Sequence, residues 1–191
     1  GGARLISLVG VAGVGKSRLA AEVARRRLET YAAAGGLWRC DLADAGGLDD
    51  AIGAVAKVLD IRLGSAASAE TAAHQLGEAL AGRGALLLLL DDADVVGEQL
   101  GPVLTGWLEQ APDLAIVRTA RSPLQVVDEL THEVLPLAFP PPDAPPSAAL
   151  ASEAVQLLLD RSGRPADKLA AEQTHALAAL ARRQDGHLGL V

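Results

Sequence analysis

Eight residues near the N-terminus, Gly10-Val11-Ala12-Gly13-Val14-Gly15-Lys16-Ser17, match the spacing G-x-x-x-x-G-K-[ST] without a gap. Glycines at this spacing let the backbone curl so that successive N–H groups point inward, and a helix starting just beyond adds its positive end. The product is a cradle for phosphate. Within it the Lys16 ammonium is expected to reach the β- and γ-phosphates of a nucleotide and the Ser17 hydroxyl to ligate Mg2+, with Arg18 next in the nucleotide-binding set.

A second constellation is Leu86-Leu87-Leu88-Leu89-Leu90-Asp91-Asp92, an aliphatic run that delivers two carboxylates at its end. In an open α/β sheet the carboxyl ends of strands line the ligand crevice. Asp91 is expected to hold the metal, directly or through water, and Asp92 to polarise an attacking water as general base. Asp94, further into the loop, reads as a solvated turn residue. A third candidate follows the apolar run Leu114 to Thr119: Arg121 can lie across the crevice and stabilise a γ-phosphate, with Arg118, inside the strand, second to it.

These residues need a scaffold, and the hydropathy pattern supplies one. Leu5, Ile6, Leu8 and Val9 read as a strand buried on both faces, followed after Gly15 by a helix with Leu19, Ala20, Val23 and Ala24 on one face. Arg25-Arg26-Arg27 reads as a solvated end of that helix. Further strands are predicted over Leu37 to Leu42, Leu86 to Leu90, Leu114 to Thr119 and Val134 to Leu137. Helices are predicted over Leu48 to Leu59, Ala69 to Leu80 and Glu98 to Glu109. The alternation predicts a three-layer α/β/α fold of the P-loop NTPase kind with a five-stranded, mainly parallel sheet.

The sequence between Lys16 and the aspartates includes a whole strand, which suggests an extra strand between the two motif strands, as in ATPases rather than GTPases or nucleotide kinases. The chain contains no asparagine, so the guanine-reading N-K-x-D motif is missing and adenine is the default base. Pro140 to Pro146 contains five prolines and cannot be helix or inner strand. The expected division is an α/β core over 1–139, a linker over 140–146 and a partial helical lid over 147–191, with helices over Ala148 to Asp160 and Ala166 to Arg183.

Composition narrows the function classes. A net charge of -7 argues against direct nucleic-acid binding, and 2% aromatics argue against a base-stacking platform. No apolar run approaches the roughly 20 residues of a membrane span. The single cysteine, Cys40, suits a reducing compartment such as the cytoplasm, and in a buried strand it reads as structural. Scattered histidines leave nucleotide-bound Mg2+ as the expected metal. Trp38 and Trp107 read as packing residues. The Gly1-Gly2 start and the lack of methionine make the chain read as an excerpt of something larger.

Taken in order, these segments resemble the nucleotide-binding domain of signal-transduction ATPases with numerous domains, the NB-ARC-like branch of the AAA+ superfamily. The resemblance is closer to the ATPase domains of bacterial AfsR-type and LuxR-type regulators. It covers nearly the whole chain: the phosphate loop, Leu37-Trp38-Arg39-Cys40-Asp41-Leu42-Ala43, the Leu-Asp-Asp strand, Thr119-Ala120-Arg121 in place of T-S-R, Val134-Leu135-Pro136-Leu137, and Gln184-Asp185-Gly186-His187-Leu188-Gly189-Leu190. The family has D-G-L-P-L-A in the last segment; here Leu188 stands at the proline position, offering an apolar surface to adenine without the fixed φ.

The resemblance implies a slow Mg2+-dependent ATPase acting as an ATP/ADP switch, with DNA-binding and helical-repeat sensor domains as neighbours and nucleotide-dependent self-assembly. Two other functions stay open on the residues alone: a small-molecule kinase using the same phosphoryl-transfer site, and a scaffold that binds nucleotide without hydrolysis.

Overall fold

The structure is a computed structural model and describes residues 2–64, 68–141, 144–163, 169 and 171–183. The chain divides into two compact units, Gly1–Gly10 with Lys16–Glu133, and Val11–Gly15 with Val134–Val191. Among the described residues no helix is long and apolar enough to cross a membrane.

The first unit is built on five strands: β1 (Leu5–Val9), β2 (Gly36–Asp41), β3 (Leu86–Asp91), β4 (Leu114–Ala120) and β5 (Glu129–Glu133). They form one sheet in the order β2-β3-β4-β1-β5, and every pairing is parallel. Helices supply the connections among the first four strands, α1 (Lys16–Ala32), α2 (Leu48–Val58), α3 (Ala69–Ala81) and α4 (Leu100–Gln110), and residues 121–128 lead to β5 without one.

Alternation along β3, which is buried throughout, sorts its leucines between the two faces. Leu86, Leu88 and Leu90 join Ile52, Val55, Leu76, Leu80, Leu104 and Trp107 in one cluster with α2, α3 and α4. Leu87 and Leu89 point the other way, toward the face that α1 packs on with Ala20 and Ala24. Small side chains there let the helix that starts at Lys16 lie close to the strands. Trp107 is fully buried and donates Nε1–H to Ala73 O at 2.8 Å, and Cys40 is buried in β2, so both are packing residues. Ser68 caps α3 by accepting the Thr71 N–H at 3.2 Å.

The extra strand expected between the two motif strands is there: it is β4, from late in the chain, while β2 lies at the sheet edge. Two expectations need correction. The fifth strand is Glu129–Glu133, not Val134 to Leu137. Pro136 has no N–H for a ladder, and what seats β5 beside β1 is the buried Glu129 carboxylate rather than an apolar run. The helix expected from Glu98 begins at Leu100, after two short 3-10 turns over Ala93–Val95 and Gly97–Gln99.

In the second unit α5 (Pro146–Ala151), α6 (Glu153–Ser162) and α7 (Ala171–Arg183) bury Ala149, Val155, Leu158, Leu159, Ala178 and Ala181 together. Pro146 starts α5 where no donor is needed, and Gly163 ends α6 at φ 64°. The single helix expected over Ala148 to Asp160 is interrupted at Ser152, which is extended at ψ 142° and bonds its hydroxyl to Ala149 O.

Candidate functional site

The loop that joins β1 to α1 depends on two glycines. Gly13 and Gly15 hold φ of 78° and 107°, a region side chains rarely enter, and this turns the chain from strand into helix within a few residues. At its start the Gly10 N–H donates to Ala120 O at 3.2 Å, anchoring the loop to the end of β4. Lys16, at the first turn of α1, is buried and donates Nζ–H to Gly10 O at 2.9 Å. The ammonium is therefore held back against its own loop.

Asp91 ends β3 at 3% side-chain exposure. Thr119 Oγ1 donates to Asp91 Oδ1 at 2.6 Å, and Arg39 Nη2 donates to Oδ2 at 2.6 Å. The Ser17 side chain is close enough to the same carboxylate to lower its pKa. Burial pushes the Asp91 carboxyl upward, but the bonds from Thr119, Ser17 and Arg39 outweigh it and hold the group below the usual carboxylate range. A carboxylate held below its usual range with a serine hydroxyl beside it is a hard-oxygen pair, the donor chemistry that Mg2+ selects. The residues present fit the metal.

Asp92 is exposed and sits in the left-handed region at φ 51°, its N–H donating to Thr119 Oγ1 at 3.0 Å. An aspartate held there at the end of a central strand is a local cost of the kind concentrated at functional sites. Asp94 corrects the expectation of a solvated turn: it is half-buried and accepts the Arg121 N–H at 2.6 Å. That bond ties the loop after β3 to the loop after β4, whose Arg121 side chain is exposed.

Arg118, the second candidate for a phosphate contact, is otherwise engaged. It is 2% exposed, donates Nε–H to Ser7 Oγ at 2.7 Å and Nη2–H to Ser122 O at 2.7 Å, and pairs with Glu129 at 3.2 Å. Glu129 also accepts from Ser7 and from the N–H groups of Leu124 and Gln125 at 3.0 and 2.8 Å. Burial lowers the Arg118 guanidinium, while Glu129 is raised by burial and lowered further by its donors, ending below the ordinary range. The network binds β1, β4, β5 and the segment after Arg121 into one piece.

Lys16 and Ser17 follow the C-terminal end of β1, Asp91 and Asp92 lie at that of β3, and β4 runs between those two strands, with Arg121 one residue beyond its end. Leu188 lies outside the described residues. Sequence reasoning missed Arg39, Thr119 and Glu129. A charged residue inside the short apolar strand around Cys40 was a signal for Arg39; Thr119 was noticed only as part of a motif, and nothing local distinguishes Glu129.

This sheet order, with a phosphate loop after β1 and acids after β3, defines a P-loop NTPase fold. The chain belongs to the AAA domain family, which it matches over residues 1–136. It is 27% identical over 186 residues to an uncharacterized protein of Mycobacterium tuberculosis, covering 96% of this chain and 43% of that protein. It is 28% identical over 185 residues to a provisionally named HTH-type transcriptional regulator of the same species, covering 96% of this chain and 19% of the regulator. The chain therefore spans less than half the length of either relative. Cdc6p from Pyrobaculum aerophilum shares the fold at TM-score 0.64 and 16% identity, over 97% of this chain and 52% of that one. The Aeropyrum pernix ORC2 protein, solved as ADPNP–ADP complexes, does so at TM-score 0.58 and 13% identity, over 96% and 52%.

Proposed function

We propose that this chain is the ATP- and ADP-binding switch module of a larger signalling or transcriptional regulator of the NB-ARC-like type, hydrolysing ATP slowly with Mg2+. The observation that carries the reading is the buried Lys16 ammonium, 2.9 Å from Gly10 O in the phosphate loop, followed by a Ser17 side chain that helps hold the Asp91 carboxyl down. It joins a phosphate-binding cation to a metal-binding oxygen pair, and no reaction on a second substrate is needed to explain it.

In this reading Lys16 and the N–H groups of Gly10 to Ser17 bind the phosphates, and Arg18 lies beside them. Ser17 and Asp91 hold Mg2+, which when bound neutralises charge on the β- and γ-phosphate oxygens. Asp92 orients a water and takes its proton as that oxygen attacks the γ-phosphorus and the bond to the β–γ bridging oxygen breaks, releasing ADP and phosphate; Arg121 steadies the charge on the γ-phosphoryl oxygens. Residues 1–139 act as the nucleotide core, 140–146 as linker and 147–191 as the start of a helical lid, with Leu188 against adenine. Neighbouring DNA-binding and sensor domains, self-assembly in the ATP state and a cytoplasmic location belong to the same proposal, supported by the HTH-type relative and the lone buried thiol of Cys40.

A switch needs only a few kcal/mol of differential affinity between its two states, which one set of γ-phosphate contacts can supply. The test is the nucleotide released on denaturing the purified protein, together with ADP production from Mg-ATP without any acceptor. Co-purifying ADP or ATP and slow acceptor-independent turnover are expected. Turnover that appears only with an added small-molecule acceptor would identify a kinase instead.

A further inference from the structure

The metal-side aspartate carries a cation from its own chain. Arg39 Nη2 lies 2.6 Å from Asp91 Oδ2. The arginine comes from the neighbouring edge strand β2, whose register sets Arg39 beside Leu89 and Asp41 beside Asp91, so the side chain runs diagonally toward the strand end. The two partners differ in burial: the Asp91 side chain is 3% exposed and that of Arg39 is 52% exposed. Arg39 therefore reaches in from solvent and can withdraw without unpacking the core.

The carboxylate has little room for both cations. Oδ1 takes the Thr119 hydroxyl and Oδ2 takes the guanidinium, with Ser17 on the same group. A divalent ion brought to this carboxylate would sit within a few ångströms of a guanidinium and repel it. Thr119 and Ser17 are neutral, and Arg39 is the charged competitor among these partners.

We propose that Arg39 is a latch that competes with Mg2+ for Asp91, swinging out to solvent when the ion enters. It keeps the buried carboxylate paired in the metal-free state and sets the Mg2+ concentration at which the module holds nucleotide in its metal-bound form. The inference rests on Asp91 being the metal-side acid. Because one partner is half-exposed, the competition is modest, about fivefold in apparent Mg2+ affinity, the equivalent of about 1 kcal/mol for such a pair.

The experiment is a MgCl2 titration of fluorescent ADP binding to the 191-residue chain and to Arg39→Ala, Arg39→Gln and Asp91→Asn, each checked for folding by thermal melting. Arg39→Ala and Arg39→Gln are expected to reach half-effect at about fivefold lower Mg2+, and Asp91→Asn at higher Mg2+. Arginine variants with an unchanged or raised midpoint, beside a raised midpoint for Asp91→Asn, would overturn the latch alone. An Asp91→Asn chain with unaltered Mg2+ dependence would remove the metal-side assignment, and the latch with it.

Discussion

Thr119 donates its hydroxyl hydrogen to Asp91 Oδ1 at 2.6 Å, and Thr119 Oγ1 itself accepts the N–H of Asp92 at 3.0 Å. One side chain of the inserted strand therefore orients both acids. Thr119→Val keeps the shape but removes donor and acceptor, leaving a buried carboxylate oxygen underbonded. It is expected to lower ATP turnover by about tenfold, equal to about 1.4 kcal/mol of lost orientation, with a smaller change in ADP affinity. Thr119→Ser should restore most of the rate. Single-turnover hydrolysis beside equilibrium binding reads both quantities.

Removal of the buried ammonium tests the phosphate loop. Lys16→Ala should weaken ATP and ADP alike by at least about tenfold, because both carry the β-phosphate that the cation faces. Calorimetry in magnesium buffer measures it, and equal affinity in mutant and parent would sink the assignment.

Asp92 and Arg121 separate chemistry from binding. Asp92→Asn retains the fold, since asparagine also tolerates the φ of 51° found there. It should bind ATP normally and hydrolyse it about 10²–10⁴-fold more slowly. Arg121→Ala should weaken ATP more than ADP. Comparable losses for the two nucleotides would exclude a γ-phosphate contact.

The Arg118–Glu129 pair is a matter of stability. Taking away one partner of a buried pair costs about 3–5 kcal/mol, so Arg118→Ala should lower the urea midpoint strongly. Replacing both residues by leucine should not restore it, because Ser122 O and the Leu124 and Gln125 N–H groups would lose their partners too.

Acid should act through the same group. Glu129 is held below its ordinary value of 4.5, so its contribution is complete above that pH and is lost as pH falls through the depressed value of the folded state. Glu129→Gln should flatten this part of the stability profile, measured by urea unfolding between about pH 3 and 6, a range that brackets the ordinary carboxylate values. An equally steep profile in the mutant would assign the acid loss to other carboxylates.

What the amino-acid order alone determined is local. Gly10 to Ser17 is one unbroken segment, its glycine spacing forces the turn, and the strand run into Asp91-Asp92 announces itself by its leucines. The parallel sheet followed from the same alternation of patterns. Tertiary structure decided which strand lies between β1 and β3, because pairing depends on which edges meet and not on chain order. It also decided the role of charged residues with no local signature. Arg39 meets Asp91 across 52 positions of sequence, and Arg118 meets Ser7 across 111. At such separations no periodicity links the partners. Only closing the sheet brings them together, and a buried charge then takes whatever counter-charge the closed sheet leaves within reach.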